Sequence, residues 1–280
     1  MSELYLGLAG IRLRVDSDSP VTVRLLEGYL EEPGPAAHRF TVKLVSALTE
    51  PAGKVVCHDA DRLIYRDGPR LLTWHGEPDR PYICAIREGE DATLEFLAEK
   101  LPQGITGKLL LNAIDLPHLL TIHDGFLLHA SFIEHAGGAI LFTAPSQTGK
   151  STQAKLWCDH AGAELINGDR AAVRLVGDTV LACGTPFAGS SDVRKNRTLP
   201  LKAIVYLTQA PENAVQRLGG VRAFRRVWEG CTVNTWDRDD VEKATKTVSG
   251  VISRIPVYHL ACTPDIRAVE ALKHTLEVEA

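Results

Sequence analysis

Residues 138–152, Gly-Ala-Ile-Leu-Phe-Thr-Ala-Pro-Ser-Gln-Thr-Gly-Lys-Ser-Thr, constrain this chain more than any other stretch. The first six are an apolar run of strand formers. A turn of small residues follows, ending in Gly149-Lys150-Ser151-Thr152. Residues 153–160 then read as a helix. Strand, small-residue turn and helix in that order are what a phosphate-binding P-loop requires. Backbone N–H groups of such a turn and of the helix N-terminus point at an anion. Lys150 would reach the β- and γ-phosphates, and the Ser151 hydroxyl would ligate Mg²⁺. Ser146, Gln147, Thr148, Gly149 and Thr152 complete the expected cradle. One position departs from the pattern: the usual first glycine is Ala144, with Pro145 after it. Alanine fits there only if the backbone does not need positive φ.

The rest of the composition narrows the class. A chain of 280 residues makes one large domain or two smaller ones. A net charge of −4 gives no reason to expect nucleic-acid binding. The first residues lack the basic and apolar regions of a signal peptide, and no run is long enough for a transmembrane helix. Cys57, Cys84, Cys158, Cys183, Cys231 and Cys262 are scattered, with no close pair of the zinc-site type. Reduced thiols in a cytoplasmic protein, without a membrane partner, are the expectation.

Before the loop, short strand-like runs dominate. Ile11, Leu13 and Val15 alternate with Arg12 and Arg14. Residues 21–31 suggest a short helix. Strands are expected at 40–45, 54–58, 62–65, 71–75, 82–87 and 93–97, separated by turns such as 67–69 and 76–81. They suggest an antiparallel meander in one sheet with a wet face. His58, Asp59 and Asp61 read as a polar turn rather than a metal site. Residues 109–122 read as a buried helix that Pro117 kinks or splits into two pieces. The domain boundary is placed near residue 103, giving a β-rich domain at 1–103 and a loop-bearing domain at 104–280. The first reads as a scaffold, a peptide-recognition element or an oligomerisation element.

Around the loop, residues 125–134 form a strand, 135–138 its turn, and 138–143 the returning arm. The strand that enters the loop is therefore the second arm of a hairpin, unlike the βαβ entry of ordinary P-loop proteins. His129 on the first arm falls near the loop end of the sheet. After the helix, residues 163–170 carry an apolar strand into the turn Asn167-Gly168-Asp169-Arg170. An acid at a strand end beside such a loop is where Mg²⁺ or a base belongs. A further hairpin and a small, basic loop at 184–197 follow. Arg194 and Lys195 there are candidate phosphate or substrate contacts, weighed evenly against a solvated basic loop. Residues 201–208 read as a strand, 213–228 and 238–253 as amphipathic helices, and 254–262 as a last strand before a helix capped by Asp265.

His129, the hairpin, residues 146–152 and the Asp169-Arg170 turn come in an order that resembles the catalytic domain of HPr kinase/phosphorylase, a fold related to ATP-dependent phosphoenolpyruvate carboxykinase. That family pairs a histidine on the first hairpin arm with a loop ending in Gly-Lys-Ser and an Asp-Asp-Arg turn. The resemblance covers about residues 123–276. The N-terminal part instead resembles HPr-kinase-related proteins of ribosomal-peptide modification, including lasso-peptide kinases. What it implies is a mixed α/β (α+β) fold: a β-rich domain, then an HPr-kinase-like P-loop domain whose mixed sheet is flanked by helices. It also implies ATP (or another NTP) and Mg²⁺, with a metal at Ser151 and Asp169, catalytic roles for His129, Lys150 and Asp169, and a homo-oligomer of unspecified order. Gly168 stands where the family has its first aspartate, the base of the kinase reading. The base role then passes to Asp169 or His129, or transfer is lost.

The function expected first is a kinase moving the γ-phosphoryl of ATP to a hydroxyl of a peptide, small protein or small molecule. A nucleotide-binding recognition or chaperone component with a degenerate site comes second. A hydrolase or phosphorylase running the reverse reaction comes third, and a carboxykinase last.

Overall fold

The computed structural model describes residues 2–59, 61–77 and 79–278. They form a mixed α/β protein with two large mixed sheets and, among the described residues, six α-helices. The chain divides into two compact units, Met1–Leu116 and Pro117–Ala280.

The first unit is built on an eight-stranded sheet. Its strands are β1 (Ser2–Leu8), β2 (Ile11–Ser17), β4 (His38–Val45), β5 (Lys54–His58), β6 (Arg62–Asp67), β7 (Arg70–Glu77), β8 (Arg80–Glu88) and β9 (Asp91–Leu97). From β5 to β9 it is the expected antiparallel meander. Pro78, in the expected turn before β8, lies outside the described residues. The expectation fails at β4, which does not start the meander. It lies between β2 and β9 and runs parallel to both, so the sheet is mixed. Alternation explains the placement: Phe40 and Val42 are buried on one face while Arg39 and Lys43 are exposed on the other.

Residues 21–31 do not make the expected helix. They give a two-residue strand, β3 (Val21–Thr22), and a single 3₁₀ turn, Glu27–Tyr29. Val21 pairs in parallel with Ile105 of β10 (Ile105–Thr106). Thr106 then caps α1 (Gly107–Ala113), its side chain accepting from Leu109 N. The segment assigned from sequence to the second domain thus starts with elements that pair and pack in the first unit. The long helix expected over 109–122 is two pieces, α1 and α2 (Leu116–Ile122). Asp115, at φ 53°, forms the break, and Pro117 lies in the first turn of α2, where its missing N–H has no helical partner to lose.

The second unit holds a nine-stranded mixed sheet: β11 (Gly125–His135), β12 (Gly138–Thr143), β13 (Glu164–Asn167), β14 (Arg170–Val176), β15 (Thr179–Gly184), β16 (Thr198–Gln209), β17 (Ala214–Leu218), β18 (Cys231–Thr232) and β19 (Val257–Cys262). Two long strands carry the architecture. β11 pairs with β14 over 125–129 and with β12 over 130–135. β16 pairs with β15, then in parallel with both β12 and β19. Helices α3 (Lys150–Ala161) and α6 (Ile266–Val278) cover one face, around Phe142, Trp157, Val205, Leu260 and Leu272. Helices α4 (Gly220–Trp228) and α5 (Arg238–Ile252) cover the other, around Phe126, Leu128, Val227 and Val248. The first of the two later helices is shorter than expected. Residues 214–218 form β17 along β19, and the helix begins only at Gly220.

Candidate functional site

β12 is buried along its whole length and delivers the chain into the 144–149 turn. Ala144 is buried and is not among the residues of positive φ, so the alanine fits without strain. The left-handed positions in this turn are Gln147 (φ 65°) and Gly149 (φ 119°). Gly149 immediately precedes α3 and offers no capping side chain, so the first amides of α3 are left uncapped. The positive end of the helix dipole lies there.

Lys150 opens α3. It is only 8% exposed, and its Nζ donates to the carbonyls of Ala144 (3.0 Å) and Pro145 (3.3 Å). Burial lowers its pKa, and the charge of Asp169 works against that shift. Ser151 and Thr152 follow, both exposed. Gln209, at the end of β16, donates to the Thr148 carbonyl at 3.3 Å and ties the turn to a neighbouring strand.

His129 lies where β11 passes from one ladder to the other. Its Nε2 is 3.6 Å from Asp169 Oδ1, too long for a hydrogen bond but within ion-pair distance. Its pKa is lowered first by desolvation, then by the positive charge of Lys150, with Asp169 opposing. His129, Lys150 and Asp169 are thus brought into one electrostatically coupled group. Asp169 Oδ2 also lies 3.4 Å from Arg170 Nε, and the Arg170 guanidinium stacks over Phe187, 5.3 Å from the ring centroid.

The acidic turn is held by Asn167, a residue not singled out from the sequence. Its side chain is completely buried. Oδ1 accepts from the backbone N–H groups of Asp169 and Arg170, both at 2.9 Å, and Nδ2 donates to the Thr185 carbonyl at 2.8 Å. Asn followed by Gly and Asp is an Asx-turn signature, so the signal was present in the sequence. Ser191 had no such signal. A Cβ on Gly168 would lie 2.0 Å from Ser191 Oγ and 2.6 Å from Ser191 Cβ. Ser191 therefore fills the room that a side chain at 168 would need. Its hydroxyl donates to Ala188 O (2.9 Å) and accepts from Val193 N (3.2 Å). Gly189, at φ 57°, packs against Asp169, whose Cβ would be 2.8 Å from a Cβ on that glycine. The 188–192 turn thus leans on the acidic turn at two points.

Arg194 and Lys195 are engaged in ion pairs, with Asp192 at 2.8 Å and Glu164 at 2.5 Å. Both pairs are solvent-accessible, and such pairs hold by about 1 kcal/mol or less, so an anion can compete for either cation. Among the described residues, no group of three or more His, Cys, Asp or Glu side chains is arranged to hold a metal. At the polar turn near residue 59, Asp59 pairs with Arg62 at 2.6 Å. Ala60 lies outside the described residues.

No family model matches the chain, and no curated protein matches its sequence. Among solved structures it is partly similar to the Hpr(Ser) kinase/phosphatase from Coxiella burnetii. That likeness has 13% identity and a TM-score of 0.33, over 55% of this chain and 99% of the other.

Proposed function

We propose that the second unit is an ATP- and Mg²⁺-dependent phosphotransferase that moves the γ-phosphoryl group to a hydroxyl of a peptide, small protein or small molecule. The observation that carries this reading is the grouping of Lys150, at the uncapped start of α3, with His129 and the Asp169 carboxylate. The residues fit a nucleotide triphosphate. Uncapped amides of α3 suit phosphate oxygens, and the hydrogen bonds of Lys150 go to the Ala144 and Pro145 carbonyls, which a phosphate outcompetes. Mg²⁺ bound with the nucleotide would neutralise charge on the β- and γ-oxygens, with the Ser151 hydroxyl and Asp169 as its protein ligands.

The chain's own work is positioning and proton handling. Lys150 and the loop amides hold the phosphates. Asp169, fixed by Asn167, accepts the proton of the acceptor hydroxyl, and His129 stands 3.6 Å away to share that charge. Arg194 and Lys195 are the cations nearest in sequence to the 188–192 turn that can add to acceptor or phosphate binding.

A second reading is a nucleotide-binding recognition component without efficient transfer. It is favoured by Ser191, which fills the place of a side chain at 168 and leaves a single carboxylate. Calorimetry with ATP and Mg²⁺, on the parent and on Lys150→Ala, followed by a radiolabelled transfer assay, separates the two. Binding lost in the variant and transfer in the parent support the kinase. Transfer that survives Lys150→Ala overturns it, and tight binding with no turnover favours the second reading.

A further inference from the structure

The segment that lies against the acidic turn carries hydroxyls of its own. Gly189-Ser190-Ser191 forms a 3₁₀ turn whose first residue, Gly189 at φ 57°, and whose following residue, Asp192 at φ 54°, are left-handed. One end rests on Asp169 through Gly189, and the other rests on Gly168 through Ser191 Oγ. Ser191 is only partly buried, and its hydroxyl is held by two hydrogen bonds within the same turn. The Ser191 hydroxyl packs against Gly168, the residue just before the carboxylate that handles the acceptor proton, so it is held against the same turn as that group.

We infer that Ser191 is itself a phosphoryl acceptor, so that the protein phosphorylates its own 188–192 turn. The inference rests on the phosphotransferase reading. In the step, Ser191 Oγ bonds to the γ-phosphorus of ATP while the bond from that phosphorus to the β,γ-bridging oxygen breaks. The electron pair leaves with ADP, and the hydroxyl proton passes to the Asp169 carboxylate and on to water. Two physical terms decide whether it occurs. Releasing Ser191 Oγ from Ala188 O and Val193 N breaks two ordinary hydrogen bonds, which the hydroxyl replaces by bonds to water or phosphate. Against this, a hydroxyl tethered at the same turn as the base reacts at an effective concentration that no free acceptor reaches. The product also finds cations. Arg194, three residues on, pairs with the exposed Asp192, and Arg170 stacks on Phe187, next to the same turn. A dianionic phosphoserine draws such guanidinium groups into bidentate contact. It would also place negative charge beside Asp169, so the modified protein should transfer more slowly to an external acceptor.

The test incubates the full chain with ATP and Mg²⁺ and reads intact mass, then maps the phosphopeptide. The expected result is one phosphoryl group per chain, on Ser191, at a rate independent of protein concentration. It is absent in Ser191→Ala and in Lys150→Ala, and retained in Ser190→Ala. Nucleotide binding is measured by calorimetry on the same samples. Binding without phosphorylation, or phosphate found on Ser190 or elsewhere, overturns the inference and leaves the nucleotide-site reading standing. Absence of nucleotide binding removes both. The mapping of the parent protein decides the matter even if Ser191→Ala folds poorly.

Discussion

Replacing Gly168 with aspartate would add a second carboxylate to the acidic turn, and the packing at that position resists it. The new Cβ would sit 2.0 Å from Ser191 Oγ and 2.6 Å from Ser191 Cβ. Neither distance is sustainable, so the 188–192 turn must move. Inserting bulk into a packed site of this kind costs roughly 1–3 kcal/mol. Ser191→Gly alone removes two hydrogen bonds, to Ala188 O and from Val193 N, at about 0.5–1.5 kcal/mol each. The two substitutions are not independent, because the second removes the atoms with which the first collides. In Gly168→Asp/Ser191→Gly, about 1–2 kcal/mol of the summed loss should therefore return. Urea denaturation of the parent, both single variants and the double variant closes the cycle. In thermal melts, each kcal/mol corresponds to a shift of about 2–4 °C. A Gly168→Asp variant as stable as the parent, or a double variant showing the full sum of the two losses, would refute the account of why glycine stands at 168.

Asn167→Ala should cost roughly 2–4 kcal/mol in denaturant unfolding, because two backbone N–H groups and the Thr185 carbonyl lose their partner in a buried site. Asn167→Asp keeps an acceptor for both N–H groups but turns a buried carboxylate oxygen onto the Thr185 carbonyl, so it should not recover the parent's stability. On the proposed phosphotransferase reading, the acid limb of transfer should lie below the ordinary histidine value of about 6.5, since His129 is shifted down by burial and by Lys150. A pH–rate profile whose acid limb lies at or above that value contradicts this. The same shift has a stability sign. With its folded pKa below the unfolded one, His129 contributes fully above about pH 6.5, and the contribution falls away as pH drops through that value toward the folded pKa. Trp157→Ala should cost roughly 3–5 kcal/mol in urea unfolding, as the side chain is fully buried against Phe142 and His135. Trp157→Phe should cost less, because the buried indole Nε1 has no hydrogen-bond partner to lose.

Where period and punctuation were strong, the fold was legible in the residues. The meander strands, the 138–143 arm, α3, α5 and the capped last helix all follow from alternation, helical spacing and caps such as Asp265, which accepts from Arg267 N. What local pattern cannot specify is pairing between distant segments. β4 reads like the first strand of the meander, yet it docks between β2 and β9, because strand order depends on contacts across fifty residues of chain. Residues 214–218 were read as helix because their spacing suits either state, and the β19 edge decided for strand. At the candidate site, Lys150, His129 and Asp169 were named from sequence and lie together. Ser191 was invisible because its contact with Gly168 exists only once the 184–197 loop folds back on β13, through Lys195 N to Ile166 O.

The placement of β12 has a consequence for synthesis. All six of its residues are buried, and its two ladder partners come from opposite directions along the chain. β11 precedes it and can zip up as soon as the hairpin emerges from the ribosome. β16 does not begin until Thr198. Until then, β12 presents an apolar open edge, the kind that recruits other strands and seeds aggregation. A nascent or truncated chain ending before residue 198 therefore carries a sticky strand directly ahead of Lys150. Such fragments should precipitate or engage chaperones, while chains extended through Gln209 close that edge with their own backbone.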